Sequence, residues 1–192
     1  WAGRSGRQLF EGTDIPDQMR RTLRNTKDIH WQKEQDSVPP MPGSFDTLKS
    51  LSKIVPLCIA TSSKRDYVES ALYRYGIKDL FSSIVTDDDV DRSKPAPDAL
   101  LKISAVLRIP SHNLMMIGDT RTDQEMAAAA ESQFILLDTR RENSHGGTDP
   151  DFARERWAIL LSELKHLGIE DDGTSVRHTH LFAAADPATR RG

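Results

Sequence analysis

The stretch Leu114-Met115-Met116-Ile117-Gly118-Asp119-Thr120-Arg121-Thr122-Asp123 decides the fold of this chain. Its apolar half reads as a buried strand, and Gly118 lets the backbone turn sharply at the end of it. The run Ala127 to Ala130 that follows makes a slim helix able to pack closely on a sheet. Asp119 then stands at the carboxyl tip of a strand and Asp123 in the first turn of the next helix. Two hard oxygen donors converge there on one point, a site suited to Mg²⁺. Taken alone, the pair also fits a plainer reading, acids answering the dipole of a helix start.

Working outward, Gln133 to Leu137 reads as a further strand, Asp138 to Pro150 as a polar loop, and Asp151 to Leu167 as an amphipathic closing helix. On the other side, Pro97 to Arg108 carries Leu100, Ile103 and Leu107 at helical spacing, and Ser83 to Thr86 is a short strand before the acidic turn Asp87-Asp88-Asp89. Ser63, with Asp66 three residues on, is expected to cap a helix that Gly76 stops. Ile54 to Ala60 is apolar enough for a strand covered on both faces, and Ser44 to Leu51 is a short helix. The segment Val38-Pro39-Pro40-Met41-Pro42-Gly43 cannot continue a helix and acts as a hinge, while Pro16 to Gln35 suits one or two solvent-facing amphipathic helices. Strands and helices alternating in this rhythm predict a doubly wound α/β fold, a parallel sheet between two helical layers.

With 26 Lys and Arg against 29 Asp and Glu, the net charge is -3, and the basic residues from Arg4 to Arg24 are the main cluster. That is no footprint for nucleic acid. No apolar stretch approaches the roughly 20 residues that span a bilayer, so no membrane partner is expected. The single Cys58 lies in an apolar run, which excludes an internal disulfide, gives the residue a packing role and makes a cytoplasmic location the natural expectation. The first residue is Trp1, from which an upstream segment is expected to have been removed or to belong to a longer chain.

Ligands of open α/β sheets gather at the carboxyl ends of the strands. Thr61 and Ser62 follow the first strand with hydroxyls and backbone N–H groups suited to phosphate, although residues of this kind also serve as caps. In Ser93-Lys94-Pro95-Ala96-Pro97-Asp98 two prolines hold Lys94 at a rigid helix start, where it can reach inward to an anion or simply face solvent.

Thr61-Ser62, then Lys94-Pro95-Ala96-Pro97-Asp98, then Gly118-Asp119-Thr120 with Asp123, in this order, resemble the haloacid dehalogenase superfamily, within it the phosphoglycolate phosphatase and β-phosphoglucomutase-like group. The likeness runs from about Val38 to Leu137. It implies a Rossmann-like core over residues 38–168 that lacks its first strand, and a partial helical cap over residues 1–37, while the polar composition after Gly168 reads as an irregular tail over residues 169–192. It also implies roles. Thr61 and the Ser62 amide would hold the transferring phosphoryl group, Lys94 would neutralise its charge, and Asp119 would bind Mg²⁺ with Asp123 supporting it directly or through water. The implied activity is a phosphatase acting on a small phosphorylated metabolite, such as 2-phosphoglycolate or a sugar phosphate, with mutase and dehalogenase chemistry sharing the same framework.

That family ends its first strand in Asp-x-Asp, whose first carboxylate attacks phosphorus to give an aspartyl-phosphate. No apolar strand with that pair precedes Val38. Glu11-Gly12-Thr13-Asp14 and Glu170-Asp171-Asp172-Gly173-Thr174 look similar but lack the strand, and Asp89-Val90-Asp91 has the spacing but is preceded by Asp87-Asp88 and runs straight into the lysine motif. A gap at the sheet centre would be close to 10 Å wide, two strand spacings. It is expected to collapse, to be filled by another chain, or to leave the chain poorly folded. Two readings follow: a phosphatase whose attacking strand belongs to a longer parent, or a non-catalytic remnant that binds metal, phosphate or a partner. Glu131, where the family has glycine, bears on the turn after the alanine-rich helix.

Overall fold

The computed structural model of the chain describes residue 8 and residues 12–139, 149–169 and 181–184, the last four and Asp36 by their backbone alone. In chain order the elements are α1 (Asp17–Glu34), α2 (Ser44–Leu51), β1 (Leu57–Ala60), α3 (Arg65–Arg74), β2 (Phe81–Val85), α4 (Asp98–Leu107), β3 (Leu114–Gly118), α5 (Arg121–Ala129), β4 (Gln133–Leu136), α6 (Pro150–His166) and β5 (Leu181–Ala184). The five strands form one parallel sheet in the order β2-β1-β5-β3-β4.

Every residue of β1 and β3 is buried, as continuous apolar strands must be when helices cover both faces. Alternation along the strands sorts the core into two sides. Cys58, Leu114 and Met116 pack with Leu100 and Ile103 of α4 and Met126 of α5, while Leu57, Met115 and Ile117 pack with Leu51 of α2 and Leu160 and Leu164 of α6. Ile59 meets Val68 and Leu72 of α3 on that second side. Burial pushes the Cys58 thiol up to about 12, against a smaller opposing pull from Ser83, so it stays protonated and serves the core.

The tail is where expectation and structure part. Leu181–Ala184 are not irregular: Leu181 to Ala184 pair with Leu114 to Ile117 of β3, and Phe182 to Ala184 pair with Leu57 to Ile59 of β1. The central slot has therefore neither collapsed nor called on another chain. The C-terminal segment of the same chain fills it, because two flanking strands with unpaired N–H and C=O groups reward any short extended segment within reach.

Smaller corrections concern caps and boundaries. Ile54 and Val55 close the turn after α2, with their N–H groups on the Leu51 carbonyl, and do not join β1. Ser63 does not cap α3. A side chain distant in sequence does so, the Asp88 carboxylate accepting from the Arg65 N–H at 2.8 Å. The Glu170 to Thr174 segment and most of the loop after Asp138 lie outside the described residues.

Helices α3, α4, α5 and α6 all end in the same paired bonds to the last turn, with Gly76, Arg108, Glu131 and Gly168 in the left-handed region. At Glu131, φ is 56°, its N–H reaches the Ala128 carbonyl and the Ser132 N–H the Ala127 carbonyl. The turn keeps the geometry that glycine favours, and the glutamate carries the strain. Replacing Glu131 with glycine is expected to stabilise the chain by about 0.5–1 kcal/mol, the relief of strain outweighing the added freedom of the unfolded chain. A urea midpoint that stays put or falls contradicts this.

Candidate functional site

Thr61 and Ser62 follow β1, Lys94 precedes α4, Asp119 follows β3 and Asp123 stands in the first turn of α5, so all five lie at the carboxyl end of the sheet. Thr61 is buried, at 3% exposure, its N–H on the Val85 carbonyl and its hydroxyl accepting from the Ser63 N–H at 3.1 Å. Ser62 is buried beside it. Asp119 is half-buried at the tip of β3.

Asp123 is the hub. It is 1% exposed and its Oδ1 accepts from Lys94 Nζ at 2.7 Å. Its Oδ2 accepts from the Thr120 N–H at 3.1 Å and from the Thr120 hydroxyl at 2.6 Å. Thr120 in return caps α5 through the Asp123 N–H, a reciprocal box. Gly118 makes room for this: a Cβ there would stand 2.5 Å from the Asp123 Cβ. The glycine thus serves the packing of the carboxylate against β3 more than the turn itself.

Lys94 is held from the other side by its neighbours. The Ser93 hydroxyl donates to the buried Asp87 carboxylate, and Arg92 forks onto Asp98, with its Nη2 at 2.7 Å from Oδ1. The acidic turn is consumed in structure. Asp88 caps α3, and Asp89 accepts from the Thr86 N–H and hydroxyl and from Arg65. Burial alone would raise the Asp89 carboxyl, but Thr86 and Arg65 together hold it below the usual range. These bonds leave Asp89-Val90-Asp91 a structural turn.

Among the described residues no three His, Cys, Asp or Glu side chains cluster closely enough for an all-protein metal cage. Asp119 with the Asp123 carboxylate still suits Mg²⁺, which usually keeps several waters and takes one or two carboxylates. The other polar ends of the sheet, Asp138 and Thr139 after β4, lie at half-buried and buried positions.

Sequence reading missed two features. Thr120 was legible as the first member of a Thr-x-x-Asp box. The second is a cavity of about 260 Å³ beside Thr61 and Asp119, roofed by α1 and walled by α2 and α3. Helix α1 buries no residue fully, yet it is fastened along α3. Lys64 bonds Asp28, Trp31 packs on Tyr67 with ring centres 6.1 Å apart, Arg74 donates to the Gln35 carbonyl at 2.6 Å and the Tyr75 hydroxyl to the Val38 carbonyl at 2.6 Å. Burial and then the bond to Asp28 hold the Tyr67 phenol well above its ordinary value, so it remains a donor. No helix among the described residues is long and apolar enough to cross a membrane.

Comparison with known proteins fits this geometry. The haloacid dehalogenase-like hydrolase family matches residues 1–137. The phosphoglycolate phosphatase of Escherichia coli (strain K12) is 32% identical over 120 residues, covering 61% of this chain and 48% of that protein. A bifunctional riboflavin kinase/FMN phosphatase of Arabidopsis thaliana is 28% identical over 120 residues, covering 62% of this chain and 32% of that protein. The chain spans about half the length of the phosphoglycolate phosphatases it matches. Among solved structures, a hydrolase from Pseudomonas syringae superposes with a TM-score of 0.68 at 24% identity, covering 86% of this chain and 80% of that one. A family hydrolase from Deinococcus radiodurans R1, solved with bound phosphate and sodium, gives 0.60 at 22% identity, covering 85% and 73%. These two establish the likeness of fold.

Proposed function

This chain belongs to the haloacid dehalogenase-like hydrolase family, and from that membership we propose that it forms the phosphate- and metal-binding part of a Mg²⁺-dependent phosphatase acting on a small phosphorylated metabolite. The observation that carries the reading is the buried pair between Lys94 and Asp123, at 2.7 Å, on the same sheet edge as Thr61 and Asp119. A lysine removed from water on a carboxylate is a cation held in place before the substrate arrives, and phosphoryl transfer is accelerated mainly by position and charge.

In this reading Thr61 and the Ser62 N–H hold phosphoryl oxygens, and Lys94 balances their charge. Asp119 would ligate Mg²⁺ directly, while Asp123, with both oxygens engaged, would steady Lys94 and meet the ion through water. When bound, Mg²⁺ supplies charge neutralisation of the phosphoryl oxygens. Phosphatases among the relatives support a small phosphorylated substrate.

A second reading, binding without turnover, is favoured by one observation. The strand at the sheet centre is Leu181-Phe182-Ala183-Ala184, followed in sequence by Ala185-Asp186-Pro187 and not by Asp-x-Asp. Isothermal titration with inorganic phosphate, and phosphate release from p-nitrophenyl phosphate, both with Mg²⁺, separate the two. Release that Asp119→Asn lowers at least about 100-fold supports the phosphatase. Phosphate binding that needs Mg²⁺ and Asp119, without release, supports the second reading. A chain that binds no phosphate with or without Mg²⁺ overturns both.

A further inference from the structure

At about 260 Å³, the cavity next to Thr61 and Asp119 is larger than a two-carbon acid fills. Of its described lining residues the one cation is Arg74, and that guanidinium donates to the Gln35 carbonyl and lies 5.6 Å from the Tyr75 ring centre. A second nitrogen of that guanidinium, Nη2, is buried without a hydrogen-bond partner and can answer one acceptor on a ligand. The rest of the walls are mainly aromatic and aliphatic. Phe45 packs on Tyr75 with centroids 5.3 Å apart, and Trp31 packs on Tyr67.

Four buried polar atoms in the lining have no hydrogen-bond partner: the indole N–H groups of Trp31 and Trp157, the side-chain oxygen of Gln35 and the Nη2 of Arg74. Each such orphan costs on the order of 1–3 kcal/mol unless something answers it. Gln35, the residue that ends α1, lies one helical turn past Trp31, so a donor and an acceptor stand side by side in the roof. A cavity of roughly 150 Å³ already accommodates benzene, so 260 Å³ holds one or two fused rings.

We infer that the cavity takes the organic part of the substrate, and that this part is flat, largely apolar and equipped with at least one hydrogen-bond acceptor. The substrate class is thus a phosphate ester of an aromatic or heteroaromatic alcohol, its phosphoryl group at Thr61 and Asp119 and its ring system beneath α1. The inference rests on the phosphate-binding reading above and narrows it. It places part of the specificity in the helix that carries no buried residue of its own, since the roof supplies the Trp31 donor and the Gln35 acceptor, Trp157 of α6 and Arg74 of α3 add donors, and the sheet face supplies apolar surface.

The test is a set of titrations of the full chain with Mg²⁺, using 4-methylumbelliferyl phosphate, 2-phosphoglycolate and inorganic phosphate. The fused-ring ester is expected to bind at least about tenfold tighter than either of the others, the worth of burying one ring and answering one orphan donor. Trp31→Phe, which keeps the ring and removes the donor, is expected to shrink that margin about fivefold. Ala71→Phe, which fills the cavity from α3, is expected to erase the margin, with retained inorganic phosphate binding reporting that the fold survives. Phosphoglycolate binding as tightly as the fused-ring ester overturns the inference while leaving the phosphate site standing. Failure of all three ligands overturns the phosphate site, and the inference with it.

Discussion

A chain ending at Ile169 is expected to lose cooperative folding. Its sheet would keep β1 paired with β2 and β3 paired with β4, but the facing edges of β1 and β3 would be left without the strand between them. Those edges belong to β1 and β3, in which every residue is buried and which helices cover on both faces. Each would expose unpaired N–H and C=O groups to a gap about 10 Å wide, too broad for the two to bond one another. An unsatisfied buried backbone group costs about 1–3 kcal/mol, so a handful matches the 5–15 kcal/mol by which a domain is stable at all. Urea titration followed by circular dichroism is expected to show a broad, non-cooperative change, and amide exchange at Cys58, Ile59, Met115 and Met116 to lose its protection. A truncated chain that melts sharply at the same midpoint would show that β5 contributes little.

That strand also marks the limit of what the sequence disclosed. The doubly wound fold, α2 to the residue and α4 to within one residue at each end were legible because local pattern and tertiary environment agree there. Leu181-Phe182-Ala183-Ala184 has two alanines, poor strand formers, and no alternation, so nothing local announces it. It is a strand because of the two neighbours it meets, and pairing of that kind leaves no mark on four residues. The α3 cap failed for the same reason: Ser63 and Asp66 make a plausible local pair, yet Asp88, distant in sequence, reaches the Arg65 N–H. At the candidate site, motif order points to Thr61, Lys94, Asp119 and Asp123, and the structure brings them to one end of the sheet. The bond from Lys94 to Asp123 could not be read from that order, since both read as facing a ligand and the structure turns them first toward each other.

Substitution of Lys94 by methionine tests that bond and carries the other large effect. The two side chains are 3% and 2% exposed and 2.7 Å apart, so neither charge has water to fall back on. Methionine preserves the length and most of the packing of lysine but leaves the Asp123 carboxylate buried with only Thr120 to answer it. Breaking a buried pair from one side typically costs 3–5 kcal/mol, far more than the pair contributes relative to an apolar replacement of both. Lys94→Met is therefore expected to lose about 3–5 kcal/mol in urea denaturation. Asp123→Asn, which keeps the Thr120 contact but strands the ammonium, should fall in the same range. The double variant has no buried charge left to compensate, so its loss is expected to be well below the sum, with a coupling of about 2 kcal/mol or more. Additive losses would mean that the two groups do not depend on each other, and the pre-set cation on which the proposed phosphate site rests would go with them. The double variant also separates stability from chemistry. It should keep more of its stability than the two single losses predict and yet bind inorganic phosphate at least about tenfold more weakly, because the positive charge at the proposed anion pocket is gone whether or not stability is restored.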